Sequence, residues 1–196
     1  AYDHCLMAHR TDSRWIAFID ADEFLFSPQL RPLPGVLRDY EGFPAVGVNR
    51  ATFGTSGHRT RPAGLLIDSY LRRGGRNRFM KSIVQPSTAI RCLSAHRFEY
   101  RYRLAVDENG YPIHRDATKS VSFERLRINH YYTKSEAELR EKLSAARPDY
   151  GQARAGSWEI VKGQFNDEHD DLISAYGSQV RAALEGRRGA RPPAGA

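Results

Sequence analysis

Between Trp15 and Phe26 the chain reads WIAFIDADEFLF, five apolar residues running into Asp20, Asp22 and Glu23 before apolar side chains resume. A continuous apolar run of this length predicts a strand covered on both faces, the pattern of a parallel sheet. Ending such a strand on Asp-x-Asp places two carboxylates at its carboxyl end, where open α/β folds gather their ligands. Hard oxygen donors two residues apart suit Mg²⁺ or Mn²⁺, which can bridge them to a diphosphate and neutralise charge on a leaving group. An acidic turn that caps the following segment would use the same residues, and the spacing by itself leaves both readings open. The Asp-x-Asp-x-Asp-Gly pattern of an EF-hand is missing. A phosphatase of the haloacid dehalogenase type would carry Thr or Val after the second Asp, where this chain has Glu23.

The 196 residues are 40% hydrophobic, enough for one sizeable core, and are most simply read as a single domain. Thirty basic against twenty-three acidic side chains give a net charge of +7, which favours an anionic partner without choosing among phosphate-rich ligands, nucleic acid and acidic membranes. The basic residues are scattered and the aromatics form no RNA-binding motif, so no nucleic acid is expected. Cys5 and Cys92 form neither a CxxC pair nor a disulfide framework, and a reducing cytoplasm fits them best. No apolar run approaches the about 18 residues of a spanning helix. The location expected is cytoplasmic, with peripheral association at the inner face of the membrane left open.

Along the chain, Tyr2, Cys5, Leu6 and His9 are spaced as an amphipathic helix, and SPQLRPLPG (27–35) interrupts regular structure. AVGVNRATFG predicts a strand, TSGHRTRPAG a polar loop, and LLIDSYLRR either helix or strand. FMKSIVQPS and AIRCLSAHRF read as strands broken at Pro86, and Asn109-Gly110 as a hairpin turn. SVSFERLRINHYYT resumes strand character. Ser135 and Glu138 form a capping box for the next helix, which buries Leu139 and Leu143, and Glu138 to Lys142 is an i,i+4 pair. A last helix is expected over FNDEHDDLISAYGSQVRAALEG, with Leu172, Ile173, Tyr176, Val180 and Leu184 on one face and Gly186 as its stop. Residues 187–196 are a Gly/Pro/Arg tail expected to be disordered.

WIAFIDADEFLF, FGTSGH (53–58), KSIVQP (81–86) followed by AH (95–96), and NHYYTKSEAELREK (129–142) resemble, in order, the blocks of glycosyltransferase family 92 and related family 2-like enzymes. The likeness runs from about residue 1 to 177. It implies an α/β fold of GT-A type, a partial Rossmann-like mixed sheet flanked by helices occupying residues 1–186. It also implies a metal-dependent, inverting transfer of a hexose from a nucleotide sugar, UDP-linked by preference, to a glycan or lipid-linked hydroxyl in cell-surface polysaccharide synthesis. Carried over by position, Asp20, Asp22 and the late His130 would hold Mn²⁺ or Mg²⁺, with Glu23 as a further polar contact or a structural anchor. Lys134 would meet phosphate together with a helix N-terminus. Phe53, Gly54, Ser56, Gly57 and His58 would contact the sugar, Phe53 by stacking on its face, and Lys81 and His96 would stand near the site.

An inverting transfer needs a carboxylate to take the acceptor proton. Asp68 is the candidate base, ahead of Asp170 and Asp171, which suit the N-terminus of the last helix. Because the Asp pair arrives at residue 20 and the chain opens in a helical pattern without methionine, about 60 to 100 residues of nucleotide-cradling strand and helix units are expected upstream. The rival functions are a Mg²⁺ phosphohydrolase using the same Asp pair and a basic nucleic-acid-binding module.

Overall fold

Strand β3, Ala45–Thr52, is buried at seven of its eight positions and is the central pairing partner of the main sheet. It pairs antiparallel with β5 (Met80–Val84) on one side. On the other it runs parallel first to β8 (Val106–Asp107) and then to β9 (Arg127–His130). β1 (Ile16–Ala17) closes one edge against β5, and β2 (Glu23–Phe26) the other against β9, both antiparallel. The computed structural model describes residues 1–144, 161 and 163–189. Their contacts divide into two units, residues 1–53 with 74–132, and 54–73 with those after 132.

The first unit is a mixed sheet with an apolar cluster on each face, as the expected α/β class requires. Val46, Val48, Ile83, Leu126 and Ile128 meet Val36 and Leu37 of the short helix α2 (Leu33–Leu37). Leu6 of helix α1 (Tyr2–Ala8) joins Ala45, Met80, Val84 and Phe98 on the other face. Gly47 lies under that second cluster, where an added Cβ would come within 2.4 Å of both Ile113 Cδ1 and Met80 Sδ, so the strand has no room for a side chain there. A hairpin of β6 (Ala89–Ser94) and β7 (Arg97–Tyr100) completes the unit.

Several sequence expectations change. The run before Asp20 is not a long strand of a parallel sheet: only Ile16 and Ala17 pair, antiparallel and at an edge. Its alternation is nonetheless used, since Trp15 and Ala17 pack on one cluster and Ile16 and Phe18 on the other. The Pro-rich stretch does not abolish structure, because Pro34 falls in the first turn of α2, where a missing N–H costs nothing. In the Asn109-Gly110 turn only Gly110 takes positive φ, at 83°.

In the second unit, LLIDSYLRR is both things it could have been, a single helical turn α3 (Leu66–Ser69) followed by strand β4 (Arg72–Arg73). β4 pairs with β10 (Glu168–His169), and Arg73 binds Glu168 at 2.5 Å and Asp170 at 2.7 Å. The expected single last helix is instead this strand, a 3-10 turn (Leu172–Tyr176) and helix α5 (Gly177–Gly189). Gly186 therefore stops nothing, and Leu172 and Leu184 are exposed. Of the tail, residues 187–189 are helical and 190–196 lie outside the described residues.

Helix α4 (Glu136–Ser144) begins as its sequence dictates. Glu138 N–H donates to Ser135 Oγ at 3.3 Å, while Ser135 N–H and Oγ donate to the Glu138 carboxylate at 3.1 and 2.7 Å. Leu139 and Leu143 are buried behind this cap. Ser135→Ala removes both side-chain bonds and is expected to lower stability by about 1 kcal/mol. Urea unfolding of the two proteins, compared at equal m-value, measures it; an unchanged midpoint would mean that the box carries no weight.

Candidate active site

The Asp20–Glu23 segment is a tight turn between β1 and β2, closed by Glu23 N–H donating to the Asp20 carbonyl at 3.0 Å. Glu23 returns the contact, its Oε2 accepting the Asp20 N–H at 3.0 Å, so one carboxylate holds the turn from below. That carboxylate has no solvent exposure, and a charge so placed needs cations beside it. Arg50 Nη1 from β3 lies 3.1 Å from its Oε1, and Lys81 Nζ from β5 3.3 Å from its Oε2. Glu23 is thus a structural anchor, and the sheet order β5, β3, β9, β2 brings both cations to it.

Lys81, 2% exposed, also donates to Asp20 Oδ2 at 3.1 Å. Partial burial pushes the Asp20 carboxyl up, but the hydrogen bond and charge of Lys81, with His130 and Arg50, outweigh it and leave Asp20 below the usual carboxylate range. Asp22 turns the other way. Its Oδ1 stands 3.6 Å from His130 Nε2, and its carbonyl accepts the Tyr131 N–H at 2.9 Å. His130 is fixed at the end of β9 by pairing with Glu23 on β2 and Thr52 on β3.

Asp20, Asp22, Glu23, Lys81 and His130 therefore come together, as their blocks suggested. An Asp22 carboxylate beside a His130 imidazole is a donor pair of the kind a divalent cation takes. Among the described residues no ready-made cluster of three such ligands is formed, since Asp20 is engaged by Lys81. Arg50 was not foreseen. A charged residue inside the buried strand AVGVNRAT was the available signal, because a cation there demands a carboxylate partner.

The remaining candidate residues have contacts of their own. Phe53, expected to stack on a sugar, has no exposed surface; its ring packs on Tyr131 at 4.8 Å and under Arg127, so it presents no face to a ligand. His96 is half-buried where β6 turns to β7, and burial, then the charges of Arg50 and Lys81, push its imidazolium below the ordinary range.

Gly54, Ser56, Gly57, His58, Asp68 and Lys134 belong to the second unit. A Cβ on Gly54 would fall 2.4 Å from the Phe165 carbonyl, so glycine is a packing requirement there. Ser56 and Gly57 make a left-handed turn at φ 49° and 81°, and Ser56 N–H donates to Asn166 Oδ1 at 2.8 Å. His58 Nε2 meets the Ser69 carbonyl at 2.9 Å. Asp68 is paired with Arg181 at 2.5 Å and would have to part from it to accept a proton. Asp170 pairs with Arg73 through Oδ2, and its Oδ1 accepts the Leu172 N–H at 3.4 Å at the start of the 3-10 turn.

The helix N-terminus expected to meet phosphate beside Lys134 has its first-turn N–H groups already engaged. The first-turn N–H groups of Glu136 and Ala137 donate to the carbonyls of His58 and Arg59, and that of Glu138 to the cap, leaving no donor for an anion.

Since Lys81 holds Asp20 below the carboxylate range, the contact contributes stability above that range and loses it as pH falls through the lowered value. Lys81→Met leaves the burial and removes the nearest cation, so the Asp20 pKa is expected to rise. Carboxyl ¹³C titration in metal-free buffer measures it; an unmoved Asp20 would break the link.

With this geometry in place, comparison with known proteins is informative. Residues 1–167 match the model of glycosyltransferase family 92. A glycosyltransferase family 92 protein of Oryza sativa subsp. japonica is 36% identical over 88 residues, covering 43% of this chain and 15% of that protein. Much the greater part of that relative thus lies beyond the matched segment. A family match spanning 167 of 196 residues, and containing every residue of the Asp20–His130 site, places the chain in one group: it belongs to glycosyltransferase family 92.

Proposed function

We propose that the chain carries the metal-binding part of a GT-A glycosyltransferase, which moves a hexose from a nucleotide sugar, UDP-linked by preference, to a glycan or lipid-linked hydroxyl with inversion. The observation that carries this reading is the anchored turn: Asp20 and Asp22 on a backbone fixed by Glu23, with His130 facing Asp22, in a chain of a glycosyltransferase family. Family membership favours it over the phosphohydrolase and the nucleic-acid module, which the Asp pair and the net charge alone would allow.

In this reading Asp22 and His130 hold Mn²⁺ or Mg²⁺, and Asp20 joins them as Lys81 yields its contact. The cation, when bound, neutralises charge gathering on the departing diphosphate. Glu23 and Arg50 keep the turn from moving while that charge develops, the kind of preorganisation on which electrostatic catalysis rests. Lys81, released from Asp20, is within reach of an anionic ligand at the same place. A carboxylate must still take the acceptor proton; Asp68 is the candidate, conditional on leaving Arg181. A cytoplasmic enzyme of polysaccharide assembly is the setting we propose.

Calorimetry with UDP and Mn²⁺ tests the assignment. Asp22→Asn and His130→Ala are each expected to weaken Mn²⁺-supported UDP binding by at least about tenfold, about 1.4 kcal/mol, and His96→Ala by much less. Unchanged affinity in the first two variants, or a larger loss from His96→Ala, would overturn the metal site.

A further inference from the structure

The first unit has a second feature that the Asp20–His130 site does not use. A cavity of about 560 Å³ is lined by Arg78, Tyr111, His114, Arg115 and Lys119, with Thr118 among its walls. Backbone and side-chain contacts tie its wall to the sheet. Phe79 bridges to Ala117, Thr118 N–H donates to the Arg78 carbonyl at 3.2 Å, and the buried Thr118 hydroxyl accepts from Asn49 Nδ2 at 2.8 Å. Three permanent cations line it, and no carboxylate does. The adjacent Asp116 is already engaged, by Arg97 at 3.3 Å and the Ser94 hydroxyl at 3.2 Å. Among the described residues Arg78, Arg115 and Lys119 have no ion-pair partner, although nine other arginines do. Tyr111, 53% exposed, adds an aromatic face.

We propose that this cavity binds an acidic saccharide, its carboxylate or sulfate groups meeting Arg78, Arg115 and Lys119 and a ring lying on Tyr111. Unpaired guanidinium groups around a concave wall suit planar oxyanions, and an aromatic flank suits a sugar face better than a bare phosphate. The volume is that of a small-molecule site and exceeds what one inorganic anion fills. Location supports an acceptor role, which rests on the glycosyltransferase reading. Arg78 precedes Lys81 by three residues of extended chain, roughly 10 Å, and Phe79 between them lies under the Arg50 guanidinium that holds Glu23. An acidic acceptor held here reaches toward the Asp20 turn.

Binding of an oligogalacturonate, a heparin oligosaccharide, inorganic phosphate and a neutral malto-oligosaccharide to the 196-residue protein, without nucleotide or metal, tests the site apart from any transferase activity. At least one acidic saccharide is expected to bind more tightly than phosphate or the neutral chain. The triple variant Arg78→Gln, Arg115→Gln, Lys119→Gln should lose about tenfold in that affinity. A control with the same loss of charge, Arg38→Gln, Arg101→Gln, Arg187→Gln, should change it less than about twofold. Equal losses from both triples, or a neutral or phosphate ligand held as tightly as the acidic saccharides, overturn the proposal; failure here leaves the UDP and Mn²⁺ test untouched.

Discussion

One buried carboxylate organises the first unit's chemistry. Glu23 has no water to solvate it, so its charge is tolerable only with Arg50 and Lys81 beside it, and each of these comes from a different strand. Two cations on one anion leave a positive surplus under the turn. Asp20 answers that surplus, which explains how a half-exposed carboxylate is drawn to a fully buried ammonium. The arrangement also sets a competition. Any external cation arriving at Asp20 must displace Lys81 from that carboxylate.

The second unit solves a different problem with similar economy. Its described elements bury Ile67, Leu139, Leu143 and Ile173, and polar contacts tie them together: Arg73 gathers Glu168 and Asp170, Glu138 binds both the Ser135 cap and the Tyr70 hydroxyl, and Arg72 donates to the carbonyls of Asn166 and Asp167. Glycines and left-handed residues in the 53–58 block serve these close approaches. Residues that read as ligand contacts in a sequence can be packing necessities of a loop-rich region, and Gly54 is the clear instance.

Much of the architecture was legible because it depends on local chemistry. The capping box, the strand AVGVNRAT, the opening helix and the break at Pro86 all follow from periodicity and from residues with one dominant conformational preference. What was not legible depends on long-range pairing. Nothing in WIAFI says that only two residues will find a partner or that the partner will be antiparallel, because a run flanked by two apolar clusters looks alike in either case. Within the site, Asp20 and Asp22 were marked by type and spacing and His130 by the family resemblance, while Arg50 was hidden by its strand and Phe53 misread because an aromatic beside glycines can face inward as easily as out.

A slip of register would undo more than pairing. Arg127, 1% exposed on β9, lies over the rings of Phe26, Phe53 and Phe123 at 5.8, 5.8 and 5.0 Å. A guanidinium cannot shed its charge, and these π faces are part of the environment that makes its burial tolerable. Moving β9 by one residue would carry Arg127 to the opposite face and put Ile128 into the aromatic cage. His130, three residues on along the same strand, would then no longer stand across from Glu23 or face Asp22. The meeting of imidazole and carboxylate is in this sense keyed from a distance, by an arginine that touches neither.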